Sequence, residues 1–491
     1  MESEERRMIL VSTRDSRLGV PASKAVLMGI APDGGLFVPL TFPKIKIEKD
    51  EAYPALAARV LTQFFDDLPE LDKLTEAAYR PFDNERVAPI IKTGEGEYML
   101  ELWHGPTLAF KDMALSVLPR LLTASMGVHG GKDILILVAT SGDTGKAALE
   151  GFCDVPRTRI VVFYPSDGVS DMQKLQMVTQ EGSNTQVVAV KGNFDDAQNG
   201  VKAIFADRSF VDVVGEKGYS LSSANSINFG RLAPQIAYYF GAYAQLLSTG
   251  EIAEGEAVNF VVPTGNFGNI LAGYYAKRMG LPIAKLICAS NKNNVLTDFF
   301  HKGSYSLNRP FYKTMSPSMD ILISSNLERL LFELTGRDPH AVSVMMKQLK
   351  ETGTYDIGET ARHALEADFY ADWCGEDETM TCIKRTFETK GYLLDTHTAV
   401  AAAVYEKYKQ TGDATKTVIV STASPYKFPQ DVLTSLGDNT EGMDAFALSR
   451  RLSEKTSTRL PKQIEELETK PVRHKAVVER NAMRQAVLEA L

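Results

Sequence analysis

Residues 133–151 read DILILVATSGDTGKAALEG, and the order of their parts decides the fold class. An apolar run rich in branched residues, Ile134 through Ala139, predicts a buried strand. Thr140-Ser141-Gly142-Asp143-Thr144-Gly145 then turns the chain, and a helix follows from Lys146. Comparable runs at 159–164, 185–190, 257–262, 284–289 and 417–421 are each succeeded by a loop and an amphipathic helix. Strands alternating with helices imply parallel sheets covered by helices on both faces, the α/β class. Sheets of that kind place ligands at the carboxyl ends of their strands, so the loops after these runs are where chemistry is expected.

Around this segment the chain has 491 residues, a length that predicts roughly three structural units at about 150 residues each. A charged fraction of 24% and a hydrophobic fraction of 44% belong to a soluble protein with a large interior. Lys+Arg 54 against Asp+Glu 62 leaves a net charge of −8, which offers neither nucleic acid nor an anionic membrane a general attraction. A small anionic substrate therefore needs a local cationic pocket. No apolar run approaches the roughly 18–20 residues of a membrane span. The N-terminus MESEERRMILVSTRDS mixes acids with bases, so a cytoplasmic location is expected. Cys153, Cys288, Cys374 and Cys382 form no CxxC pair and have no histidine at ligand spacing, so no metal is expected and the thiols read as buried or inert.

Residues 1–90 read as a small N-terminal subdomain, in which Ala31-Pro32-Asp33-Gly34-Gly35 predicts a tight turn before an extended Leu36-Phe37-Val38-Pro39. Residues 91–430 carry the strand–helix alternation, with 334–390 mostly helical. Residues 431–491 are polar with an amphipathic pattern (Ile464, Leu467, Val477, Met483, Val487, Leu491) and read as a solvated helical extension.

Four loops hold the candidate chemistry. Pro263-Thr264-Gly265-Asn266-Phe267-Gly268-Asn269 follows a strand and runs into a helix. Its two glycines allow backbone amides to converge, and the helix start adds positive potential, so the loop forms an anion cradle suited to phosphate. A glycine turn also simply joins strand to helix in such folds, so this loop alone is weak evidence. The Thr140–Thr144 stretch offers hydroxyls and amides at a helix start, which suit a carboxylate, while Asp143 would repel a neighbouring phosphate. It fails as a Walker A loop because Ala147 stands where Ser or Thr is needed, and no GxGxxG follows a strand. Lys111, in HGPTLAFKD (104–112), enters an apolar helix (Met113, Leu115, Val117, Leu118, Leu121, Leu122), where burial and the helix dipole would lower its pKa and leave a nucleophilic amine able to form a Schiff base. Taken alone, a lysine near a helix start is more often a snorkelling or ion-paired side chain. Ser421-Thr422-Ala423-Ser424 supplies hydroxyls at another strand end. Taken jointly, an activated lysine, a phosphate cradle, a carboxylate loop and a strand-end hydroxyl are the parts needed to hold pyridoxal 5'-phosphate and an amino acid.

On these residues the chain resembles the threonine synthase family of pyridoxal-phosphate enzymes with the tryptophan synthase β-subunit fold (fold type II). The likeness runs through HGPTLAFKD, SGDTG, KGNFDDAQ (191–198), NSINFGR (225–231), PTGNFGN (263–269), SPSMDILISSNLERL (316–330) and TASPYKF (422–428). It implies two parallel-sheet α/β domains with the cofactor between them, a small N-terminal subdomain and a helical C-terminal extension. It also implies Lys111 as the cofactor lysine and proton carrier, and Gly265, Asn266, Phe267, Gly268 and Asn269 as the phosphate loop. Thr422 falls at the pyridine nitrogen. Asp143 takes a position where relatives often have an Asn bonded to the cofactor's phenolic oxygen. Thr140, Ser141, Gly142 and Thr144 fall near the substrate carboxylate, and Ser226, Asn228 and Arg231 near the substrate phosphate. Ser424 receives no catalytic role, and His104 and His397 read as packed, hydrogen-bonded histidines. The implied reaction is the last step of threonine biosynthesis, O-phospho-L-homoserine and water giving L-threonine and phosphate, in a monomer or homodimer. A dehydratase or phospho-lyase releasing 2-oxobutyrate and a non-catalytic descendant are the other readings; an intact Lys111 disfavours the last.

Overall fold

The computed structural model describes residues 7–140, 142–166 and 169–491. Its larger sheet runs in the order Phe369–Trp373, Ile283–Ser290, Val258–Pro263, Thr417–Ser421, Glu97–Glu101, Ile90–Gly94. All neighbours in it are parallel except the last pair, which is an antiparallel hairpin. The smaller sheet, Ala476–Val478, Thr185–Val190, Thr158–Pro165, Asp133–Ala139, Tyr219–Ser222, is parallel throughout. Val258–Pro263 is buried at every position, as a strand covered on both faces must be. The helix Phe229–Ser248, buried along most of its length, packs against Gly268–Arg278 and Tyr53–Thr62.

Three expectations are corrected. The apolar stretch after Lys111 is two helices, Asp112–Leu115 and Leu118–His129. Pro119 has no N–H to bond the Leu115 carbonyl and its ring would clash there, so the first helix stops. Within the helical 334–390 stretch, Phe369–Trp373 is the edge strand of the larger sheet. The C-terminal region is not solvated: Ile464 and Leu467 enter the apolar cluster on one face of the larger sheet, whereas Met483, Ala486 and Val487 fill that of the smaller sheet. Ala476–Val478 adds the smaller sheet's last strand.

The N-terminal segment forms its own antiparallel sheet, Gly19–Pro21, Ile9–Ser12, Phe37–Pro39. Gly34 (φ 80°) makes the expected turn before Phe37–Pro39. Leu10, Phe37 and Val38 nevertheless share one apolar cluster with Phe229 and Tyr239, so the segment has no separate core. All four cysteines are free, three of them buried.

Candidate active site

The strand ends of both sheets converge on Lys111. The loop carrying it leaves Glu101 and is stitched to the next strand's end: Phe110 N donates to Thr422 O at 2.8 Å, Ser424 N donates to Leu108 O at 3.0 Å, and Ala109 bridges Ala423. Leu108 takes a left-handed conformation (φ 61°), a strain that this surrounding network holds in place. Asp112 accepts from the amide and hydroxyl of Thr107 at 2.7 and 2.6 Å, closing the loop on itself. Lys111 is consequently 8% exposed. Its Nζ donates to Ser318 Oγ at 3.3 Å and lies 3.9 Å from Asp143 Oδ2. Burial pulls the amine below the ordinary lysine range; the Asp143 carboxylate opposes this, and the Arg231 and Lys427 cations reinforce it.

The predicted phosphate loop lies on the other side of Ser318. A side chain at Gly265 would come within 2.8 Å of the Ser318 carbonyl oxygen, so only glycine permits this approach. Ser324 Oγ donates to Gly265 O at 2.8 Å, and the Asn326 amide and side chain both donate to Asn266 O. The left-handed residue of the turn is Phe267 (φ 64°), not either glycine, and its ring is anchored among Phe300 and Phe369. Gly268 opens the helix Gly268–Arg278. Asn269 Oδ1 accepts from the hydroxyls of Tyr238 and Tyr239 at 2.6 and 2.8 Å, leaving its Nδ2 buried without a partner among the described residues.

Arg231 is also buried. One guanidinium nitrogen donates to Ala224 O at 2.7 Å, whereas Nε has no partner among the described residues. Burial lowers its pKa to about 10. A desolvated guanidinium with no carboxylate against it among the described residues is a site prepared for an anion.

Other predicted residues serve the local fold. Asn228 caps the helix Phe229–Ser248 through Gly230 N at 2.9 Å and donates to Val26 O at 2.9 Å, so both ends of its amide are engaged. Thr140 Oγ1 accepts from the amides of Gly142 and Gly145, both at 3.0 Å, and fixes the turn that presents Asp143. Thr144 sits half-buried in the first helical turn, and Ser226 Oγ accepts from Asn326 Nδ2 at 3.2 Å. Ser141 lies outside the described residues. Thr422 is buried, its amide donating to Thr398 Oγ1 at 3.3 Å. Ser424 caps the turn Pro425–Lys427. His104 and His397 are both hydrogen-bonded and largely buried, His104 between Asp83 and Glu101.

Three residues here escaped the sequence reading: Ser318, Asn326 and Lys427. All lie inside motifs quoted above, but nothing in their spacing reveals what they face. The arrangement combines a desolvated amine, a glycine-dependent amide turn, and two buried donors without partners among the described residues, Arg231 Nε and Asn269 Nδ2. Such a donor set fits an aldehyde bearing a phosphate ester together with an anionic substrate.

Comparison with known proteins agrees in extent and order. A family model described as "Threonine synthase N terminus" matches residues 9–79. One described as "Pyridoxal-phosphate dependent enzyme" matches 88–424, and "Threonine synthase, C-terminal" matches 398–487. The human protein "Threonine synthase-like 1" is 42% identical over 433 residues, covering 84% of this chain and 58% of its own length. The chain thus spans 58% of the length of such relatives. Threonine synthase of Pseudomonas aeruginosa is 39% identical over 433 residues, covering 87% of this chain and 90% of that protein. The crystal structure of PLP-bound threonine synthase from Brucella melitensis superposes with a TM-score of 0.88 at 37% identity, covering 98% of this chain and 99% of that one.

Proposed function

From the premise that this chain belongs to the threonine synthase family of pyridoxal-phosphate-dependent enzymes, we propose that it converts O-phospho-L-homoserine and water to L-threonine and phosphate. The observation that carries the proposal is the shared neighbour of amine and loop: Ser318 touches Lys111 through its hydroxyl and closes on Gly265 through its carbonyl. One molecule the size of pyridoxal phosphate can reach both.

When bound, that cofactor supplies an electron sink for negative charge developing on the substrate's carbons. Lys111 would carry it, the amides of 265–269 with the start of Gly268–Arg278 would hold its phosphate, and Thr422 would face its ring nitrogen. The rest is the work of side chains. Lys111, kept deprotonated more readily by its burial, takes and returns protons at the α- and β-carbons. The turn at 140–144 receives the substrate carboxylate on those of its amides that Thr140 Oγ1 does not engage. Arg231 binds the phosphate of the substrate and stabilises it as it leaves the γ-carbon, with Ser226 beside it. Packing of both sheets' strand ends over Lys111 keeps water away until it is required at the β-carbon.

No helix among the described residues is long and apolar enough to cross a membrane. The proposal extends to a cytoplasmic enzyme acting as a monomer or homodimer on a small-molecule substrate. Purified protein should release phosphate and threonine in equal amounts from O-phospho-L-homoserine, and Lys111→Ala should lower kcat by ~10³-fold or more. Accumulation of 2-oxobutyrate in place of threonine would overturn the assignment.

A further inference from the structure

Lys427 is a buried cation, 2% exposed, to which the reaction above gives no part. It follows the strand Thr417–Ser421 of the larger sheet and reaches across to the smaller domain. There its Nζ lies 2.9 Å from Asp143 Oδ1 and donates to Gln176 Oε1 at 2.9 Å. Gln173 Nε2 donates to the same carboxylate oxygen at 3.0 Å. Both contacts fall on Oδ1. The other oxygen, Oδ2, is the one 3.9 Å from Lys111.

This division of the carboxylate has an electrostatic consequence. A lone Asp143 anion in a buried site would either take up a proton or pair tightly with Lys111 and hold its amine charged. Burial does press Asp143 toward protonation, but Lys427 and Lys111 outweigh it and keep the carboxyl well below the usual range. With Lys427 on Oδ1, the carboxylate keeps a counter-ion whatever the state of Lys111. Lys111 can then lose its proton or become covalently bound without stranding a buried charge.

We propose that Lys427 is a positioning residue of the active site: as the counter-ion of Asp143 across the two domains, it fixes the carboxylate and turns its free oxygen toward Lys111. The proposal rests on the cofactor assignment above for its meaning, though not for its test. The charged groups acting on Lys111 are Asp143, Arg231, Lys427 and Asp112; those on Asp143 are Lys427 and Lys111, with Gln173 as hydrogen-bond donor.

The test uses the full chain with its cofactor, as wild type, Lys427→Met, Asp143→Asn and the double variant. The pH midpoint of the bound cofactor's visible absorbance should move up by about one unit in Lys427→Met, where Asp143 is left to Lys111 alone, and down in Asp143→Asn, where two cations face one another. Thermal unfolding should fall by roughly 3–6 °C in Lys427→Met, and the double variant should recover at least half of that loss, since removing both charges strands neither. A midpoint that stays put or moves down in Lys427→Met overturns the proposal. So does a double variant whose loss of Tm equals the sum of the single losses, or one that fails to fold. Failure of the cofactor assignment has a separate signature: wild-type protein would show no visible band, while the unfolding comparison would still report on the pair.

Discussion

His397 Nε2 accepts the backbone N–H of Ser318 at 3.1 Å, and the Ser318 hydroxyl in turn accepts from Lys111 at 3.3 Å. The other ring nitrogen, Nδ1, lies 3.1 Å from Asp395 Oδ1, a carboxylate that also caps the helix Thr396–Tyr408. Asp395 therefore orients the ring so that Nε2 presents a lone pair to the loop. His397→Phe would leave the half-buried Ser318 N–H without this acceptor, at about 1 kcal/mol, and release the Ser318 hydroxyl from its place. We expect kcat/KM for phosphate release to fall about 10-fold, with His397→Gln retaining more activity because its side-chain carbonyl can accept the same hydrogen. Equal rates for the two variants would contradict this account.

Gly265→Ala tests the approach of loop and backbone. The added carbon would lie 2.8 Å from Ser318 O and 3.3 Å from Met319 Cα, both main-chain atoms that cannot rotate away. Cofactor affinity, followed by absorbance titration, should weaken roughly 10–100-fold, corresponding to about 1.4–3 kcal/mol of displacement. Unchanged affinity would mean that the phosphate is held elsewhere.

Arg231→Met should separate stability from activity. Its guanidinium is buried with no carboxylate among the described residues, so its removal relieves a desolvation cost in the free protein. Tm should hold or rise, while kcat/KM for O-phospho-L-homoserine falls by about 10²-fold or more. A variant both destabilised and fully active would give Arg231 to the fold instead.

His104 provides a pH signature away from the reacting atoms. Burial lowers its pKa, but hydrogen bonds to Asp83 and Glu101 at 2.7 and 2.8 Å override this and raise it from 6.5 to about 9. A folded-state pKa above the free value means that protonated His104 contributes its full stability below about pH 6.5 and loses it as pH climbs through about 9. The Tm difference between wild type and His104→Gln should therefore shrink steadily from pH 6 to pH 10. A constant difference would show that the imidazole acts by packing alone, through its stacking on Trp103.

The central strands were legible because a parallel strand buried on both faces must be almost continuously apolar: apart from Asp133 and Asn259, Asp133–Ala139 and Val258–Pro263 are apolar runs. Phe369–Trp373 did not, being five residues at a sheet edge embedded in helical charge patterns. Ala476–Val478 is shorter still, and two of its three residues are exposed. In the site, Lys111 was legible from its place before an apolar run, whereas Lys427 gave no sign. Its partners Asp143 and Gln176 lie more than 250 residues earlier in the chain, and only the meeting of two domains brings them to it. Local pattern also says what a polar side chain is able to bond, but not whether the backbone claims it first. Thr140 and Asn228 are hydroxyl and amide groups in ligand-like loops that the main chain has already engaged.

Ala476–Val478 closes the smaller sheet against Thr185–Val190, a strand synthesised about 290 residues earlier. At roughly 5–20 residues per second, a ribosome leaves that edge uncapped for about 15–60 s, presenting a row of open amides and carbonyls to any passing strand. The nascent chain therefore carries a timed vulnerability, and chaperone dependence should centre on the smaller domain, not the larger.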